Sequence, residues 1–77
     1  MIAKTKGVIV QMVKPDYEIY SALRDKRQLS DYQVGKDTGI PTSGLTRWKQ
    51  GKQFPKTDKL LKLAKYFEVS IEYFLKD

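Results

Sequence analysis

The sequence predicts an all-α fold of five short helices, preceded by a short amino-terminal arm or strand. Two observations predict the helices and a third sets the opening apart. From Asp16 onward, apolar residues recur three and four positions apart, and glycine, proline and capping side chains separate the segments that carry them. Met1 to Lys14 instead holds the β-branched residues Val8, Ile9, Val10 and Val13 and no helix cap, the composition of a strand or an extended arm. Seventy-seven residues bury too little surface for two separate cores, so residues 16–77 are expected to form one domain, with residues 1–15 as its arm.

Pro15 pushes Lys14 toward extended backbone, and Asp16 is placed to cap a first helix from about Asp16 to Lys26. Its inward stripe is Ile19 and Leu23, one turn apart with Tyr20 beside them, while Arg24, Asp25, Lys26 and Arg27 are expected to face water. The second helix has the clearest start. Ser30 and Gln33 form a capping box, Leu29 and Val34 a hydrophobic staple, and Gly39 is the stop. The third helix runs from about Thr42 to Gln50 and ends at Gly51, with Leu45 and Trp48 as its inward pair. After a loop containing Pro55, Thr57 is expected to cap a fourth helix whose Leu60, Leu63, Ala64 and Phe67 fall at i, i+3, i+4 and i+7. Ser70 then caps a last short helix, Ile71 to Leu75, which folds Ile71, Phe74 and Leu75 back over the core.

The formal charge of +6 favours polyanionic partners, nucleic acid first and an acidic membrane surface second. With no cysteine and no histidine, the chain lacks disulfides, thiolate and imidazole ligands, and the commonest general base. Structural zinc and Cys/His or Ser/His catalysis are thereby excluded, and no cofactor is expected. The carboxylates Asp16, Glu18, Asp25, Asp31, Asp37, Asp58, Glu68 and Glu72 scatter over caps and exposed faces, and no glycine-rich phosphate loop accompanies them, so no enzyme is expected. No apolar run, Val8 to Val10 included, exceeds three residues, too short to span a bilayer, and no export signal is expected at the opening of the chain. A cytoplasmic protein with no membrane partner is the expectation.

Two short helices, about Asp31 to Thr38 and Thr42 to Gln50, joined by a tight glycine turn, have the arrangement of a helix-turn-helix unit. Its residues Leu29-Ser30, Val34-Gly35, Thr38-Gly39-Ile40-Pro41, Leu45-Thr46-Arg47-Trp48 and Gly51-Lys52, followed by Pro55, Leu60, Leu63-Ala64, Phe67 and Val69-Ser70, resemble the lambda-repressor-like (Cro/repressor, Xre-type) DNA-binding domain. They are most similar to repressors of phages and prophages of Gram-positive bacteria. The resemblance spans about Tyr17 to Leu75 and implies a five-helix fold, sequence-specific binding to double-stranded DNA and a role in transcription regulation. Four positions depart from it, among them Gly44, where relatives commonly carry a small hydroxyl residue. Asp31 stands where relatives often have a phosphate-binding glutamine, and a carboxylate there repels the DNA backbone unless it turns away. Pro41 stands where many have a capping serine. Gly35 stands where alanine is usual, at a helix crossing that needs a small residue, and glycine costs about 1 kcal/mol of helix propensity against alanine.

With Leu45 and Trp48 inward, a 3.6-residue period puts Ser43, Thr46, Arg47 and Gln50 on the outward face and Thr42 at the amino end. In a helix-turn-helix unit the second helix enters the major groove, so Thr42, Ser43, Thr46 and Arg47 are the base-reading candidates. An arginine fork matches O6 and N7 of guanine, a contact worth about 1–3 kcal/mol of discrimination. Lys49, Gln50, Lys52 and Lys56 are the candidates for the phosphate backbone, together with Tyr32 and Gln33. From Arg47 to Lys65, Asp58 stands alone among Arg47, Lys49, Lys52, Lys56, Lys59, Lys62 and Lys65. Lys59, Lys62 and Lys65 read as the solvated face of the fourth helix, Trp48 as core, and Tyr66, Tyr73 and Phe74 as packing or partner surface. Gly44 either lets the backbone approach the groove or relieves helix packing.

A protein-interaction module of the same fold, antitoxin-like or antirepressor-like, is the alternative, since fold does not fix function. The basic residues on and after the third helix favour DNA over it. One such domain buries roughly 600–1,000 Å² on DNA, so a homodimer on a two-fold-related operator is expected. Residues 8–13, the carboxy-terminal helix, or the further carboxy-terminal domain that relatives frequently carry are its candidate contacts.

Overall fold

The computed structural model describes residues 14–76. Four α-helices follow in order: α1 Tyr17–Lys26, α2 Asp31–Thr38, α3 Thr42–Lys49 and α4 Thr57–Phe67. A 3-10 turn, Ile71–Phe74, comes after them, and two-residue strands close the ends. Strand β1, Lys14–Pro15, runs antiparallel to β2, Leu75–Lys76, with Lys14 opposite Lys76 and Pro15 opposite Leu75. The Val8–Val13 segment expected as arm or strand lies outside the described residues.

Side chains cap two of the four helix starts and not the other two. Asp16 caps α1 by accepting the Glu18 amide at 3.0 Å, and Ser30 caps α2 by accepting the Gln33 amide at 3.1 Å. Only half of the expected capping box forms, because the Gln33 side chain bonds forward to Asp37 at 2.9 Å instead of back to Ser30. Helix α2 stops at Gly39, whose φ of +82° is open to glycine without steric cost. Helix α3 starts after Pro41 with no side-chain cap, and α4 starts after Lys56. The expected Thr57 cap is therefore corrected: Thr57 is already the first helical residue, and no side chain caps that end.

The fifth helix is also corrected, to a single 3-10 turn that gives way to β2. Four residues separate Ser70 from the strand, too few for a stable α-helix, and the Phe74 carbonyl must accept the Asp16 amide at 2.8 Å to start the ribbon. Phe74 itself is fully buried, so the turn does fold back over the core as expected.

All four helices and the turn meet in one core of Tyr20, Val34, Ile40, Leu45, Trp48, Leu60, Leu63, Ala64, Phe67 and Phe74. Leu60, Leu63, Ala64 and Phe67 are the stripe that the i, i+3, i+4, i+7 spacing predicted. In α1 the centre of the stripe moves by one residue: Tyr20 is fully buried, while Ile19 and Leu23 pack against the core from its edge. Aromatic packing explains the shift, since Tyr20 stacks on Trp48 at 5.3 Å and meets Tyr17 and Phe67 edge-on. Arg27 closes the far end of α4. Its guanidinium donates to the Tyr66 and Phe67 carbonyls at 3.0 and 3.2 Å, two groups that a helix end leaves without partners.

Candidate nucleic-acid interface

The outward surface of α3 is built by what holds its other side. Leu45 and Trp48 are 1% and 2% exposed, and the Trp48 indole N–H donates to the Pro15 carbonyl at 3.1 Å, which ties α3 to β1 as well as to the core. That anchoring leaves Thr42, Ser43, Thr46, Arg47, Lys49 and Gln50 exposed along the free face. Lys52 and Lys56, in the loop that follows, are exposed too. All four expected base-reading positions and the four carboxy-terminal backbone positions thus sit on one helix and its adjoining loop.

Two of these side chains carry additional constraints. The Thr42 hydroxyl lies 3.3 Å from where a Cβ on Gly35 would stand, so it turns toward the crossing of α2 and α3. Arg47 reaches Gln53 at 3.5 Å, the outer limit of a hydrogen bond, which leaves its guanidinium fork free for a stronger acceptor. Gln53, an exposed loop residue absent from the expected site, enters it through this contact. Neither residue spacing nor helical periodicity reports where an irregular loop places such a side chain.

On α2, Tyr32 projects into solvent at 68% exposure, whereas Gln33 is half-buried. The Gln33 amide donates one hydrogen bond to Asp37, and its second N–H is available to a phosphate. Asp37 also accepts from the Tyr66 hydroxyl at 2.5 Å, which links α2 to α4. The hydrogen bonds from Tyr66 and Gln33 hold the Asp37 carboxyl below its ordinary value. Lys62 and Lys65 are solvated as expected, and Lys59 is half-buried.

Asp31, the carboxylate that threatened to repel DNA, turns inward. Its Oδ1 accepts from the Tyr20 hydroxyl at 2.7 Å and from Arg24 at 2.8 Å, and its Oδ2 accepts from the Tyr17 hydroxyl at 3.0 Å. Burial pushes the Asp31 carboxyl up, but the hydrogen bonds from Tyr20, Arg24 and Tyr17, with the Arg24 charge, hold it below its ordinary range. Desolvation and the same carboxylate push the Tyr20 hydroxyl far above its own. Arg24, expected to face water with Asp25, Lys26 and Arg27, is instead 19% exposed in its side chain and spans Asp25, Asp31 and Tyr17. The partners lie on two helices, so no single-helix periodicity reveals the cluster. It removes one negative charge from the α2 surface and fastens α2 to α1.

A family model described as Helix-turn-helix matches residues 21–74, more than half of the chain, with α2 and α3 inside it. The chain belongs to the helix-turn-helix family, of the lambda-repressor-like, Xre type. No curated protein matches. Among solved structures, a transcriptional regulator from Listeria innocua is similar, with a TM-score of 0.68 and 25% sequence identity over 80% of this chain. The present chain spans 59% of that protein's length.

Within this helix-turn-helix domain the structure separates the two readings of Gly44. A Cβ there meets nothing within 4 Å, so packing does not require glycine. Gly44→Ala is expected to raise stability by about 1 kcal/mol in urea denaturation, from helix propensity alone. If glycine serves close approach to DNA, the same variant binds DNA more weakly despite folding more tightly. Unchanged affinity would remove that role.

Proposed function

We propose that this helix-turn-helix domain binds double-stranded DNA sequence-specifically as a non-enzymatic transcription regulator, of the phage or prophage repressor type, in the cytoplasm. The observation that carries the reading is the free face of α3: a polar and cationic surface on a helix whose opposite side is locked into the core. Docked in the major groove, α3 presents Thr42, Ser43, Thr46 and Arg47 to base edges. Its carboxy-terminal residues Lys49 and Gln50, with Lys52 and Lys56 in the loop, lie toward one flanking phosphate strand, and Tyr32 and Gln33 at the start of α2 toward the other. Two copies on a two-fold-related operator, one helical turn between half-sites, supply the specificity that one small reader lacks. The family match and the Listeria innocua regulator support the regulatory role.

A salt series on random-sequence duplex and on a selected-site pool tests this, with Arg47→Ala beside the unsubstituted chain. The expected result is a steep loss of affinity with salt for both DNAs, and a site preference that Arg47→Ala weakens by about 1–3 kcal/mol. Enrichment of no sequence, with Arg47→Ala indistinguishable from the parent, overturns the base-reading assignment.

A further inference from the structure

We propose that the cleft between α3 and the loop after it binds a small aromatic carboxylate, and that this ligand competes with DNA for Arg47. The cleft measures about 200 Å³, and Leu45, Trp48 and Leu63 form an apolar floor. Arg47 from α3, Gln53 from the loop and Lys59 from the first turn of α4 stand around it, and no acidic side chain lines it. Neither Arg47 nor Lys59 has a carboxylate partner among the described residues. An apolar floor under two cations calls for an anion with an apolar body, and a planar carboxylate matches the arginine fork through two parallel hydrogen bonds.

Size limits the ligand further. An apolar cavity of about 150 Å³ takes benzene, and drug-sized ligands occupy about 300 Å³ or more, so this cleft suits one ring with a short acidic group. Gly44 also lines the cleft, and the open space above its Cα is part of that room. A ligand seated there engages the same guanidinium that is assigned to the major groove. The competition rests on that DNA reading, whereas ligand binding itself does not.

Trp48 is the chain's one tryptophan and forms part of the floor, so its fluorescence reports occupancy directly. The full chain, without DNA, is titrated with benzoate, benzyl alcohol, acetate and inorganic phosphate. Benzoate is expected to saturate the Trp48 signal at about millimolar concentration or below, and benzyl alcohol, acetate and phosphate to bind about tenfold more weakly. Lys59→Gln is expected to weaken benzoate about threefold and leave benzyl alcohol unchanged, a difference that altered folding does not produce. Absence of saturation, equal affinity for benzoate and benzyl alcohol, stronger binding of phosphate, or indifference to Lys59→Gln overturns the site. Benzoate is then added to the DNA complex, where it is expected to lower DNA affinity. Saturation of Trp48 with unchanged DNA affinity overturns the competition alone, and a chain that binds no DNA leaves the Trp48 titration standing.

Discussion

Asp31→Ala is expected to destabilise the domain by about 2–4 kcal/mol in urea denaturation at neutral pH. The substitution removes the common acceptor of Tyr17, Tyr20 and Arg24 and leaves a largely buried guanidinium with the exposed Asp25 as its one remaining carboxylate partner among the described residues. Breaking a fully buried ion pair costs about 3–5 kcal/mol, and the residual exposure of about one fifth on both side chains lowers that figure. Domains of this size have roughly 4–11 kcal/mol of stability in total, so the loss is a large fraction of it. The pH dependence has a definite sign. The folded carboxyl lies below its ordinary value of 3.8, so its contribution is complete above that pH and disappears as pH falls through the folded value. Unsubstituted chain and Asp31→Ala are therefore expected to converge in stability as the solution becomes strongly acidic. A constant gap down to low pH would mean that the carboxylate's ionisation does not hold α2 to α1.

The second large effect concerns Gly35. Helix propensity by itself says that alanine gains about 1 kcal/mol there, but a Cβ on Gly35 falls 2.7 Å from the Ile40 carbonyl oxygen. Ile40 lies in the turn between α2 and α3, so relief of that contact has to move backbone. Gly35→Ala is expected to lose about 1–2 kcal/mol net, and Gly35→Val about 3 kcal/mol or more, by overpacking and β-branching. Because the turn sets how α3 crosses α2, DNA affinity is expected to fall further than the loss of folded protein explains. Thermal melts, together with DNA titrations at a temperature where every variant is folded, check both parts. A more stable Gly35→Ala would show that the turn yields cheaply.

The four α-helices, the glycine stops of α2 and α3 and the stripe of α4 were legible in the residues alone, because these depend on residues three or four apart. So was the free side of α3: once Leu45 and Trp48 point inward, 3.6 residues per turn leaves the rest of that face outside. The family was legible for the same reason, since its pattern is a pattern of local spacings. Matters that depend on atoms distant in the chain emerged only on packing. Arg24 looked like one of four solvated charges until α2 brought Asp31 to it, and Gly35 looked like a weak helix residue until the turn placed a carbonyl against it. The last segment became a 3-10 turn and strand because Pro15, sixty residues away, pairs with Leu75. Local sequence encodes propensity and periodicity, while the partner that a polar side chain finds, and the space left beside a Cα, exist only once the helices have packed.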